Sequence, residues 1–250
     1  SQGVDLRGTA DYTLTDSVIS TTGLSMRVSG GGILTVDDIS ISSDDSMVIL
    51  SDVDSTWTDV SLTGTSNSLL GIRLISGEHT FSGDFSANRT FSTDAHSIGL
   101  DIVWAKAEFI DVEANGWAYG VVMDHSELNL EKLSMAPGTN AGILSKSSNL
   151  VISESLETSN QARGIEMTGT SIAHISEWVA SLHQTGLVIN EESQAYIRLM
   201  EISDGFGDVD ALGDGTLSYG TTSAPNVAVT ETKLFIETEV LITNLDNESI

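Results

Sequence analysis

Cysteine is absent from this sequence, which excludes a disulfide framework and thiolate chemistry and leaves the compartment open. Positive charge is scarce: 10 Lys and Arg stand against 36 Asp and Glu, a formal net charge of −26. Nucleic acid and anionic membrane surfaces both need clustered cations, so neither is an expected partner. No apolar run approaches the ~18 residues of a membrane span, and no membrane insertion is expected. The sequence opens at Ser1 with no basic stretch leading into an apolar one, as expected of a removed signal peptide or of a fragment. Aromatic residues are few, at 6%. The apolar content comes mainly from Ile, Leu, Val and small residues, which suit thin layers of stacked side chains.

What is abundant is acid and rhythm. A strongly acidic surface keeps a protein soluble, and it also suits a saline or calcium-rich extracellular setting. Two glycosylation triplets, Asn88-Arg89-Thr90 and Asn247-Glu248-Ser249, point the same way. The rhythm is a short motif: Gly99-Leu100-Asp101-Ile102, then glycine-led motifs at Gly120, Gly142, Gly164 and Gly186, at steps of 21, 22, 22 and 22 residues. A period of that length means stacked supersecondary units.

Counted from each glycine as position 0, position +1 is Leu100, Val121, Ile143, Ile165 and Leu187. Position +3 is Ile102, Met123, Ser145, Met167 and Ile189. Alternate residues of a strand share a face, so these two columns line an interior, with Ser145 as the exception. A small polar turn follows at Ser126, Ser148, Thr170 and Ser193. A second strand follows it (Leu128 and Leu130; Leu150 and Ile152), then a third apolar cluster (Leu133 to Met135; Trp178-Val179). Three short strands in about 22 residues make a triangular coil, each coil ~4.8 Å above the last. A helix is excluded by the missing 3.6-residue period and the many β-branched residues. Glycine at position 0 is expected to make a sharp corner with positive φ.

The beat extends towards the N-terminus through Gly23, Met47 and Gly71. The 28-residue step from Gly71 to Gly99 places a loop insertion near 82–96, and the Gly- and Asp-rich stretch 205–226 reads as a second. The expectation is one all-β domain over 1–250, a single-stranded parallel β-helix of about ten coils with about 22 residues each. The beat of glycine, apolar, any, apolar over residues 20–205 resembles the right-handed parallel β-helix superfamily. That group includes pectate lyases, tailspikes, autotransporter passengers and many surface proteins. The resemblance implies a right-handed coil, as does the general crossover rule, and no particular activity.

The catalytic reading of such a fold is polysaccharide cleavage, with outward carboxylates holding calcium and an Arg or Lys near them. Asp124-His125 is similar to a short element of pectate lyases. The matching Arg-x-Pro-x-x-Arg element is missing, because the only prolines are Pro137 and Pro225. The plain reading of Asp124-His125 is a solvent-facing turn. None of the five histidines forms a metal spacing, and His174 reads as a half-buried packing residue. Asp204, Asp208, Asp210 and Asp214 lie on a glycine-rich stretch that could ligate Ca²⁺, although no glutamate closes an EF-hand loop. Position +2 should face outwards, and it carries Val122, Leu144 and Val188 in adjacent or nearby coils. Exposed aliphatics there suggest that a partner or a loop covers this sheet. No amphipathic helix caps either end, so strand edges are open to other copies. The expected function is a non-enzymatic extracellular or cell-surface rod: a unit of a surface layer, filament or adhesin, binding copies of itself or cell-surface glycans. The alternative is a polysaccharide lyase or depolymerase with a carboxylate and calcium groove on the first sheet.

Overall fold

The computed structural model describes residues 3–203, 207–212, 216–219, 227–230 and 233–236. Among the described residues every element is a strand. In chain order they are β1 (Val4–Arg7), β2 (Tyr12–Thr21), β3 (Met26–Ser29), β4 (Ile33–Ser43), β5 (Ser46–Ser51), β6 (Asp54–Gly64), β7 (Leu70–Ile75), β8 (Glu78–Arg89), β9 (Ile98–Val103), β10 (Lys106–Glu113) and β11 (Tyr119–Asp124). They continue as β12 (Glu127–Met135), β13 (Ala141–Lys146), β14 (Asn149–Ser159), β15 (Arg163–Thr168), β16 (Ile172–Ser181), β17 (Thr185–Ile189), β18 (Gln194–Ser203), β19 (Gly207–Leu212), β20 (Thr216–Tyr219), β21 (Val227–Thr230) and β22 (Lys233–Ile236). Odd-numbered strands form one parallel eleven-stranded sheet and even-numbered strands the other. The result is a parallel β-solenoid with about 22 residues in each coil. Among the described residues, no helix is long and apolar enough to cross a membrane.

The interior columns fall where the alternation puts them. Leu100, Val121, Ile143, Ile165 and Leu187 are fully buried, as are Ile102, Met123, Met167 and Ile189. Ser145 is buried among them and donates its hydroxyl to Ser171 Oγ at 3.1 Å, so the polar exception has a partner. Aromatics enter this core more than their scarcity suggests. Trp57, Trp117 and Trp178 are fully buried, and Phe81 stacks on Phe109 at 4.1 Å and 7°.

Three expectations about the coil are corrected. Each coil has two strands, and from β1 to β18 these are a short one of four to six residues and a long one of eight to twelve. The second and third apolar clusters belong to one bent strand. In β2, β4, β6 and β8 the bend is a residue of positive φ: Asp16, Asp38, Asp59 and Gly83. Aspartate tolerates that conformation because its short polar side chain bonds locally.

The repeating glycines do not make corners. Gly99, Gly120, Gly142, Gly164 and Gly186 are absent from the positive-φ positions and lie inside the short strands. At Gly99, Gly120, Gly142 and Gly164 nothing larger fits. A Cβ on Gly164 would stand 2.6 Å from Gly186 O and 2.7 Å from Trp178 Cζ2, and one on Gly120 would collide with Met135 Sδ. The column is a groove in the backbone into which the long strands press their largest side chains.

The register also shifts near the start. Met26 pairs with Val48 and Val4 with Met26, so Ser25 and Gly3, not Gly23, hold the glycine position in the first two coils. Of the insertion expected near 82–96, residues 82–89 stay in β8, and the excursion is confined to 90–97. Within 205–226, β19 and β20 continue the two sheets, with Leu187 paired to Val209 and Ala195 to Leu217.

Candidate functional site

The corner after each short strand is where the chain departs from its own rule. The residue there has positive φ in coil after coil: Gly8, Gly30, Asp52, Ser76, Trp104, His125, Ser147 and Gly169. Glycine, aspartate and serine are ordinary occupants of such a position. A tryptophan is not, because a bulky side chain in the left-handed region costs about 1–3 kcal/mol. Trp104 nonetheless holds φ 54° and leaves 63% of its surface in water.

Local hydrogen bonds keep this corner in place. Ser126 Oγ donates to Asp124 O at 2.8 Å and accepts from Ala105 N at 3.3 Å. Ser148 Oγ donates to Lys146 O and accepts from Ser126 N at 3.0 Å, and Ser171 Oγ accepts from Ser148 N. This buried hydroxyl ladder, reading Ser171 where the sequence suggested Thr170, satisfies amides that the bend removes from the sheet. Above it, the Trp104 ring stacks on His125 at 4.2 Å and 13°. His125 Nδ1 in turn meets Asp124 Oδ1 at 2.6 Å. Asp124-His125 is therefore a solvent-facing turn, and the indole beneath it is what sequence reasoning missed.

An open cleft of about 590 Å³ surrounds the stack, lined among others by Gly77, Glu78, Lys106, Glu127 and Asn149. Lys106 Nζ lies 3.2 Å from Glu108 and 3.7 Å from Glu127, and its hydrogen bond to Glu108 holds the ammonium above its ordinary pKa. A second cleft shares Glu127 and Asn149 with the first and reaches His174. His174 is exposed, not half-buried as expected, and stacks on Tyr196 at 4.9 Å and 8°. Two aromatic pairs are thus joined by a strip of carboxylate and amide side chains on the outside of the second sheet.

No protein-family model, curated protein or solved structure matches this chain.

The residues singled out from sequence scatter rather than converge. Val122, Leu144 and Val188 do share one vertical ladder on the first sheet, interrupted by Glu166. They are not an exposed patch: Val122 and Val188 are 9% and 8% exposed and Leu144 is half-buried. Each has ladder neighbours only ~4.8 Å above and below, which screen it from water. Beside Val122, Asp101 is buried and paired with Arg73 at 2.5 Å. Burial raises the Asp101 pKa, and the Arg73 charge opposes that. Asp208 and Asp210 lie on β19, with Asp210 paired in register to Val188, while Asp204, Asp214 and Asn247 are outside the described residues. Among the described residues no group of three His, Cys, Asp or Glu is placed to hold a metal ion. Asn88 sits in β8, half-buried, and its Oδ1 accepts from Asn115 N at 3.1 Å.

Two other histidines are interior. His79 Nε2 donates to Ser76 O at 3.0 Å while Nδ1 accepts from Ser55 Oγ at 2.7 Å, and Ser55 Oγ accepts from Trp57 Nε1. His183 lies between Thr158 and Gln161. Burial lowers both imidazole pKa values, outweighing the backbone carbonyls that favour protonation. The unfolded chain therefore binds more protons than the folded one below the ordinary histidine value of ~6.5. Stability is fully present above that pH and is lost as pH falls through the two lowered values. Asp101 acts in the opposite sense, since a raised carboxyl pKa contributes stability at acid pH that is lost as pH rises. Urea midpoints are expected to drop from pH 7.5 to 5.5, and His79→Gln with His183→Gln is expected to flatten that drop. An unchanged pH dependence in the double variant would remove the histidines as its source.

Proposed function

We propose that this chain is a non-catalytic structural protein of the cell exterior, built on the right-handed β-helix plan: a rigid rod serving a surface layer, filament or adhesin. The supporting observation is the unbroken stacking of both sheets, which makes a stiff rod whose acidic outer surface suits a hydrated, ionic setting. End-to-end association is part of the reading.

The competing reading is a lyase or depolymerase acting on the first sheet. Its outward carboxylates there are separated by Val122 and Leu144, and Asp101 and Glu166 are paired with Arg73 and Arg163. That pairing favours the structural reading. Electron microscopy and sedimentation of the purified chain, with calcium and with chelator, test it. Ordered linear assemblies are expected. Monomers at every concentration, together with release of unsaturated sugars from an acidic polysaccharide, would overturn it.

A further inference from the structure

We propose that the Trp104–His125 corner is a carbohydrate-binding site for a non-acidic pyranose chain, such as a neutral or amino-sugar glycan. The inference deepens the adhesin form of the reading above and does not depend on self-association. Four observations carry it. The chain places its one exposed tryptophan at a backbone position that disfavours any large side chain and that glycine fills in the first two coils and again at Gly169. Strain kept at a water-facing site, with no core packing in return, is the pattern of a residue held for contact. The ring is pre-oriented, locked against His125 at 4.2 Å. On either side of the pair, the same corner position carries Ser76 and Ser147, whose small side chains leave the outer ring faces unstacked. The pair lies in a shallow, open depression of about 590 Å³, a surface along which an extended chain can lie rather than an enclosing pocket.

The chemistry around the rings selects the ligand. A pyranose presents an apolar C–H face to an indole and hydroxyls at its rim. Here Glu78, Glu127 and Asn149 offer acceptors, and Asn149 and Lys106 offer donors, at that rim. The carboxylates, on a chain of net charge −26, repel uronic acids and sulfated sugars and attract an ammonium-bearing sugar. Glu127 and Asn149 continue the polar strip towards His174 and Tyr196, which gives an extended chain further contacts.

Tryptophan fluorescence reads the site directly, because Trp57, Trp117 and Trp178 are buried and Trp104 is not. The probes are a glucosamine tetramer, a glucose tetramer, a galacturonic acid tetramer and a lysine tetrapeptide, each titrated into the intact chain. Saturable binding is expected for the first two, tightest for glucosamine, with none for galacturonic acid or the peptide. Trp104→Asn keeps a residue that tolerates positive φ and removes the ring. It is expected to weaken sugar binding at least tenfold, followed by calorimetry, while the urea midpoint stays at or above that of the parent. Binding of galacturonic acid or of the lysine peptide as tight as that of the sugars overturns the assignment. So does unchanged affinity in Trp104→Asn, or a large loss of stability there, which would make the ring structural. The polymer readout of the previous section is separate, so either proposal can fail alone.

Discussion

Trp178→Ala is expected to lose about 3–5 kcal/mol of unfolding free energy in urea, with the damage confined to neighbouring coils. Trp178 is fully buried, and its indole fills the groove that Gly164 leaves open. Truncation leaves a cavity that a stacked backbone cannot collapse into, because each coil is held at fixed spacing by the coils beside it. The indole Nε1 also donates to Thr158 Oγ1 at 3.0 Å, and the same hydroxyl meets His183 Nε2 at 2.9 Å. Phenylalanine keeps most of the volume and loses that bond, so Trp178→Phe is expected to cost about 1–2 kcal/mol. In a solenoid, stability is close to a sum of coil and nearest-neighbour contributions. Amide exchange in Trp178→Ala should therefore accelerate in β14, β16 and β18 and remain slow in β4 and β6. Uniform acceleration along the rod would show a single cooperative unit and would sink the nearest-neighbour picture.

The winding was legible because apolar residues at +1 and +3 serve one purpose in every coil, and a shared purpose leaves a shared residue type. Leu100, Val121, Ile143, Ile165 and Leu187 are all fully buried for that reason. The corner at +5 was invisible because its requirement is conformational. Ser76, Trp104, His125, Ser147, Gly169 and Glu191 have nothing in common except positive φ. The glycine column was found, and its cause was misread: close packing against the next coil's carbonyl and a long-strand side chain leaves the same letter as a corner does. The second coil sits off the expected register because Gly23 supplies the right letter two residues before Ser25, which holds the position. Of the candidate site, Asp124 and His125 were noticed as neighbours in sequence. Trp104 was not, since its stack on His125 spans one whole coil. The signal that could have found it is positional: once +5 is known to be a corner, a tryptophan there stands out.

Arg89 carries the other large expected effect, through the excursion at 90–97. Its side chain is fully buried, pairs with Asp94 at 2.8 Å, donates from Nη2 to Ser66 O at 2.8 Å, and lies over the Trp117 ring at 5.4 Å. Asp94 also accepts from the amides of His96 and Ser97 and from the Ser97 hydroxyl. Burial alone would raise the Asp94 pKa, but these donors and Arg89 together hold it below the ordinary carboxylate value. The excursion is then tied across several coils, with Asn140 Nδ2 donating to Ala95 O at 2.9 Å and Ala118 N donating to Ser97 Oγ at 2.9 Å. Arg89→Ala removes the buried member of a pair whose other member, Asp94, is partly exposed, and empties the space under Trp117, for an expected loss of about 2–5 kcal/mol that comes mainly from the lost packing. Arg89→Met fills that space without charge and is expected to lose markedly less, because Asp94 keeps its three other donors. The acid limb separates charge from volume. With a lowered Asp94 pKa, the parent keeps this contribution above the ordinary carboxylate value and loses it as pH falls through the folded one. Arg89→Met should show a shallower acid loss, and limited proteolysis of Arg89→Ala should cut first within 90–97. If Arg89→Ala shifts stability by under about 1 kcal/mol, or the cut falls elsewhere, then the arginine is not what holds the excursion to the rod.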